Sequence, residues 1–105
     1  MSTYARSTYA RSVDANQAEI VAALRGCGVA VVDLSAVGHG VPDLLAADIA
    51  GTFLVEVKTA TGRLRDTQRR FADSWPGDLY VIRDVDDAID VATRRRNRAI
   101  ERRLF

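Results

Sequence analysis

The sequence predicts one α/β domain in the order α-β-β-β-α-β-α, a mixed sheet flanked by helices with a last helix at the C-terminal end. Three observations carry this. Short apolar runs rich in β-branched residues recur at residues 29–34, 43–49, 52–59 and 79–82, separated by glycine-containing breaks. Around them lie stretches with apolar residues three and four apart, each opened by a residue suited to capping a helix. At 105 residues the chain is one domain at most, large enough to bury roughly two-thirds of its unfolded surface.

Residues 1–12 contain a tandem pentapeptide, Ser2-Thr3-Tyr4-Ala5-Arg6 followed by Ser7-Thr8-Tyr9-Ala10-Arg11. A period of five fits neither helix nor strand, so this reads as a mobile arm, a solvated tail rather than a nucleic-acid contact, although Tyr4, Tyr9, Arg6 and Arg11 are of types that stack on and contact nucleic acid. Asp14 is a good N-cap with Gln17 three residues on, and Ile20, Ala23 and Leu24 form an apolar stripe. A helix is therefore expected from about 15 to 25, stopped by Gly26 or Gly28. Val29–Leu34 reads as a first strand, and residues 37–42 as a loop with two glycines. Asp43–Ile49 and Thr52–Thr59 form a hairpin through Ala50-Gly51.

Asp66 caps a short helix with Leu64, Gln68, Phe71 and Trp75 on one face, Trp75 in the core, and Pro76-Gly77 ends it. Leu79–Ile82 is a buried strand. Asp84 then caps a last helix with Asp87 at its third position, and Val85, Ala88, Ile89 and Ala92 form its inner face. The domain proper spans 13–93. Residues 94–105 form an Arg-rich helical extension, with Ile100, Leu104 and Phe105 as its apolar side.

Composition narrows the chemistry. One cysteine, Cys27, excludes an internal disulfide and Cys-based zinc sites, and reads as a small buried hydrophobe. One histidine, His39, excludes His-x-x-x-His metal pairs, so any metal is held mainly by oxygen. No apolar run approaches a membrane span, and the polar N-terminus has no signal-peptide core. A cytoplasmic protein is the expectation, and the arginine-over-lysine, alanine-rich composition points to a bacterial or phage genome, hence to a bacterial or phage-infected cell.

Among fourteen arginines there is one lysine, Lys58, which closes Glu56-Val57-Lys58, and twelve residues separate Glu56 from Pro42-Asp43. An ammonium is a compact point charge, whereas a guanidinium is a planar fork that stays protonated. A lone lysine beside two carboxylates therefore marks a place where arginine will not serve. Residues two apart on a strand share a face, so Glu56 and Lys58 project together. A hairpin turning near residue 51 sets Asp43 opposite Lys58 and Glu56 diagonally across, all on that face.

Two carboxylates beside an ammonium suit a hard divalent cation, magnesium with manganese able to substitute, poised over a phosphodiester. Lys58 would orient the attacking water, help deprotonate it, or stabilise charge on phosphorus.

Pro42-Asp43…Glu56-Val57-Lys58 resembles the motif of the PD-(D/E)XK nuclease superfamily. More narrowly, the chain looks like the small stand-alone VRR-NUC nucleases of phages and prophages. The similarity spans roughly residues 13–92, including Asp14–Glu19, Gly40–Leu45 and Gln68. It implies a restriction-endonuclease-like core, α-β-β-β-α-β. It further implies that Asp43 and Glu56 bind metal and that Lys58 is catalytic. Glu19 would be an outer ligand, direct or through water, the carbonyl of Val57 a further one, and Gln68 would orient the site.

The expected function is a metal-dependent DNA endonuclease selective for branched or junction DNA, since nothing in the chain is recognisably built to read base edges. Two sites related by a two-fold would cut both strands, which favours a homodimer. His39, Arg63, Arg94, Arg95, Arg96 and Arg98 are candidate phosphate contacts. The rival is a non-catalytic nucleic-acid-binding or assembly protein that keeps the fold, and it predicts a broken charge set.

Overall fold

The computed structural model describes residues 12–104. The N-terminal pentapeptide arm and Phe105 lie outside these residues. Seven elements follow in the expected order: α1 (Val13–Gly26), β1 (Ala30–Asp33), β2 (Leu44–Asp48), β3 (Gly51–Val57), α2 (Asp66–Ser74), β4 (Leu79–Ile82) and α3 (Val85–Leu104). The strands form one mixed sheet in the order β1-β2-β3-β4, antiparallel except for the β3–β4 pair. Because β3 and β4 run parallel, the chain needs a crossover between them, and α2 lies in it.

One sheet face is dry. Val31, Leu44, Ala46, Phe53, Val55, Val57 and Ile82 point from the strands toward Ile20 and Leu24 of α1 and toward Ala88 and Ala92 of α3. Burying a side chain such as Ile20 or Leu24 stabilises the fold by about 1.5–3 kcal/mol. The opposite face carries the alternate residues. Val32, Leu45, Leu54 and Leu79 stand in one row across the strands, with Leu54 buried and the β1 end of the row exposed.

The caps differ from the sequence expectation. Ser12, not Asp14, caps α1, accepting the N–H of Ala15 on its hydroxyl, so Asp14 sits in the first turn. Gly28 stops α1 with a left-handed φ of 85°. Arg65 holds the N-cap position of α2, and its backbone N–H donates to Gln68 Oε1 rather than to Asp66. For α3 the expectation holds, since the Asp84 carboxylate accepts the N–H of Asp87.

Three burial expectations are overturned. Trp75 is 43 % exposed, because α2 ends in extended backbone there and the indole lies over Gly77, stacked on Phe71. Val85 and Ile89 face solvent, since the buried stripe of α3 is Ala88, Ala92, Arg95 and Ala99.

Arg95 is the third correction. Its side chain is 1 % exposed, so it is not free to meet phosphate. Nε reaches Asp48 at 2.8 Å, Nη1 reaches Asp78 at 2.6 Å, Nη2 donates to the carbonyl of Gly51, and the guanidinium lies 4.0 Å from the Phe53 ring centre. Burial lowers its pKa, but the bonds to Asp48, Tyr80 and Asp78 outweigh this and hold it above the ordinary value. A buried charge is tolerated when paired on this scale. The periodicity had the signal: residue 95 falls on the Ala88–Ala92–Ala99 stripe.

Candidate active site

The hairpin places the charged residues. Its turn is tighter than expected: Asp48 pairs with Gly51 across Ile49-Ala50, and the Asp48 carboxylate accepts the N–H of Ala50. Gly51 takes a φ of 116°, which favours glycine. Leu44 consequently pairs with Val55. The register is displaced by two residues from the expected one, which brings Asp43 level with Glu56 and leaves Lys58 on the diagonal. A displacement of two preserves side-chain parity, so all three still share a face.

Glu56 is 3 % exposed, and its Oε2 takes a hydrogen bond from Gln68 Nε2 at 2.9 Å and an ion pair from Lys58 Nζ at 3.4 Å. Asp43 is fixed by a different bond: its Oδ2 accepts the backbone N–H of Val57 at 2.8 Å. That N–H is available because β2 pairing has ended by this point of β3. Lys58 donates its own backbone N–H to Ile82 on the β4 side. Peptide groups alternate sides along a strand, so the N–H and C=O of Val57 both face Asp43.

Electrostatics at Glu56 are strained. Burial, and then the negative charge of Asp43, push its carboxyl above the ordinary value of 4.5, and Lys58 offsets only part of this. Two carboxylates, a strand carbonyl and a buried position form an all-oxygen donor set that a hard cation satisfies. Among the described residues, no three His, Cys, Asp or Glu side chains gather into a closed cage. Glu19 lies half-buried on α1, three residues after Asn16.

Three residues that the sequence left without a role hold the frame. Asn16 is buried on α1 and donates from Nδ2 to the carbonyls of Lys58 at 3.1 Å and Arg83 at 3.2 Å. It falls in the apolar stripe with Ile20 and Leu24, and an amide there is the signal that marks it. Arg83 donates from Nη1 to the carbonyls of Thr59 and Gly62, both at 2.7 Å, which fixes the loop after Lys58. That loop borders a pocket of about 190 Å³ lined by Asn16, Lys58 and Arg63.

Gly40 holds the other side. Its φ is 81°, and a Cβ there would lie 2.5 Å from the Thr67 carbonyl oxygen, so the loop presses against the first turn of α2. This close approach fixes the segment leading into Asp43 against the turn that presents Gln68. His39, also at a positive φ of 59°, lies on that loop.

The exposed C-terminal arginines lie elsewhere. Arg95 reaches the β2–β3 turn, at the opposite end of β3 from Glu56 and Lys58, and α3 covers the other sheet face. Arg94, Arg96 and Arg98 are thus remote from the carboxylates, and Arg94 pairs with Asp90.

Residues 3–75 of the chain match the VRR-NUC domain. No curated protein and no solved structure matches the chain.

Proposed function

The chain belongs to the VRR-NUC family, a nuclease domain of the PD-(D/E)XK superfamily, and on that premise we propose that it is a divalent-metal-dependent DNA endonuclease. The observation that carries this is the buried carboxylate of Glu56, level with Asp43 and held by both Gln68 and Lys58. Asp43, Glu56 and the carbonyl of Val57 would hold magnesium or manganese. Such an ion supplies charge stabilisation at the phosphate and a more acidic water.

The protein's own groups do the rest. Gln68 fixes the rotamer of Glu56, and the Val57 N–H fixes that of Asp43, so both carboxylates are preorganised before substrate arrives. Lys58 keeps its ammonium against Glu56 and turns its remaining donors to the attacking water and a phosphate oxygen. The water oxygen gives up a proton to solvent and bonds to phosphorus as the bond to the leaving oxygen breaks in line with it, and that oxygen takes up a proton from solvent. The DNA backbone runs past Arg63, which lines the pocket beside Lys58, and past the exposed arginines of α2, Arg69 and Arg70. Branched or junction DNA is the preferred substrate, and two copies act together so that each strand meets a site.

The test is cleavage of linear, nicked and branched DNA with magnesium or manganese, with Glu56→Gln as control. Metal-dependent products from the wild type and none from the variant are expected. Equal products from both would overturn the assignment.

A further inference from the structure

His39 and α2 border a shallow, open surface pocket of about 290 Å³, lined by His39, Thr67, Arg70, Phe71 and Ser74. It opens next to the helix turn that presents Gln68 to Glu56. Three of its features bear on a ligand. His39 holds a left-handed φ of 59°, a conformation that costs a non-glycine residue about 1–3 kcal/mol and is kept mostly at functional sites. Arg70 is exposed and makes no ion pair among the described residues. Phe71 is stacked with the exposed indole of Trp75, ring centres 5.3 Å apart and planes 19° from parallel.

From these we infer that the pocket is a binding site for one unpaired nucleotide, its base stacked at Phe71 and His39 and its phosphate on Arg70. Aromatic faces with a guanidinium alongside are the physical basis of single-strand binding, and stacking is indifferent to base identity. A paired base cannot enter, because its ring faces are already covered by its neighbours in the duplex. The site therefore selects DNA in which a nucleotide is out of the stack, as at a flap, bulge or junction. This rests on the nuclease reading and supplies its structural selectivity: the unpaired nucleotide lies one helix turn from the residue that orients Glu56.

The strain at His39 makes the test clean. Glycine adopts that φ freely, so His39→Gly removes the imidazole while relieving the backbone. Phe71→Leu keeps apolar bulk and removes the ring, as a second variant. The probe is a duplex carrying one unpaired 2-aminopurine, compared with the fully paired duplex of the same sequence, with metal chelated so that no cleavage intervenes.

Wild-type protein should bind the unpaired form roughly five- to a hundredfold more tightly, the span of a single base–aromatic stack, and should quench its fluorescence. In both variants that preference should fall to about twofold or less, with the quenching abolished. Equal wild-type affinity for the two duplexes would overturn the subsite and leave the nuclease reading standing. Preference and quenching retained in both variants would place the base elsewhere and overturn it too. Absence of binding to either duplex would remove the subsite together with the reading beneath it.

Discussion

Gln68 joins two structures at once: its Nε2 donates to Glu56 Oε2 at 2.9 Å while its Oε1 accepts the backbone N–H of Arg65 at 2.8 Å. The amide that starts α2 is thus the amide that aims the carboxylate. Gln68→Glu keeps the acceptor that starts the helix and replaces the donor with a negative charge against Glu56. It should be more damaging to cleavage than Gln68→Ala, and should push the rising limb of the pH–rate profile upward, since a like charge disfavours ionisation of Glu56. Equal profiles for Gln68→Glu and wild type would show that Gln68 does not govern Glu56.

Stability without metal should depend on pH through Glu56. Burial and the charge of Asp43 raise its folded-state pKa above 4.5, so the folded chain retains a proton that the unfolded chain has released. The associated stability is fully present below 4.5 and is lost as pH rises through the raised value. Glu56→Gln should flatten this limb in melts run with chelator, and added magnesium should stabilise the wild type increasingly as pH rises. A wild-type curve parallel to that of Glu56→Gln would contradict the assignment of strain to this carboxyl.

Lys58→Arg should cost catalysis about a hundredfold or more, close to the loss from Lys58→Ala. The side chain is largely buried with its ammonium 3.4 Å from Glu56, which leaves little space for a planar fork. Single-turnover rates at saturating magnesium and DNA decide it. Near-wild-type rates for Lys58→Arg would reduce the residue to a positive charge.

Arg95→Met should lower unfolding free energy by about 3–5 kcal/mol, because it strands the carboxylate of Asp48 in a buried position. Adding Asp48→Asn should recover part of the loss, which denaturant melts measure. Additive losses in the double variant would mean that the two residues are not coupled.

Arg63→Gln with Arg69→Gln should flatten the dependence of log affinity on log salt, by up to about 0.9 for each phosphate that is no longer neutralised. Arg96→Gln with Arg98→Gln should change it less, since those side chains lie at the far end of α3 on the other layer. The reverse order would move the DNA path to that end.

The element order was legible in the sequence because each segment carried its own period and its own stop. The shared face of Asp43, Glu56 and Lys58 was legible as well, through strand parity. Register was not, since it depended on whether the turn sat at Ile49-Ala50 or one residue later, and Asp48 decided that by bonding Ala50. The stripe positions of Asn16 and Arg95 were legible, but their partners were not, and Arg83 gave no signal at all, because those partners are backbone carbonyls and carboxylates distant in sequence. Trp75 misled for a related reason: its spacing is helical, but the helix ends at Ser74 before that spacing can bury it.

The placement of Arg95 has a consequence for how the chain is made. The guanidinium that fastens the β2–β3 turn comes from residue 95 of 105, so it leaves the ribosome after every group it holds. Asp48, the Gly51 carbonyl and Asp78 must wait, unpaired, for the last helix to be translated. Chains that stop before Arg95 should stay in that unfastened condition, vulnerable to protease, and addition of the Arg95 segment closes the corner.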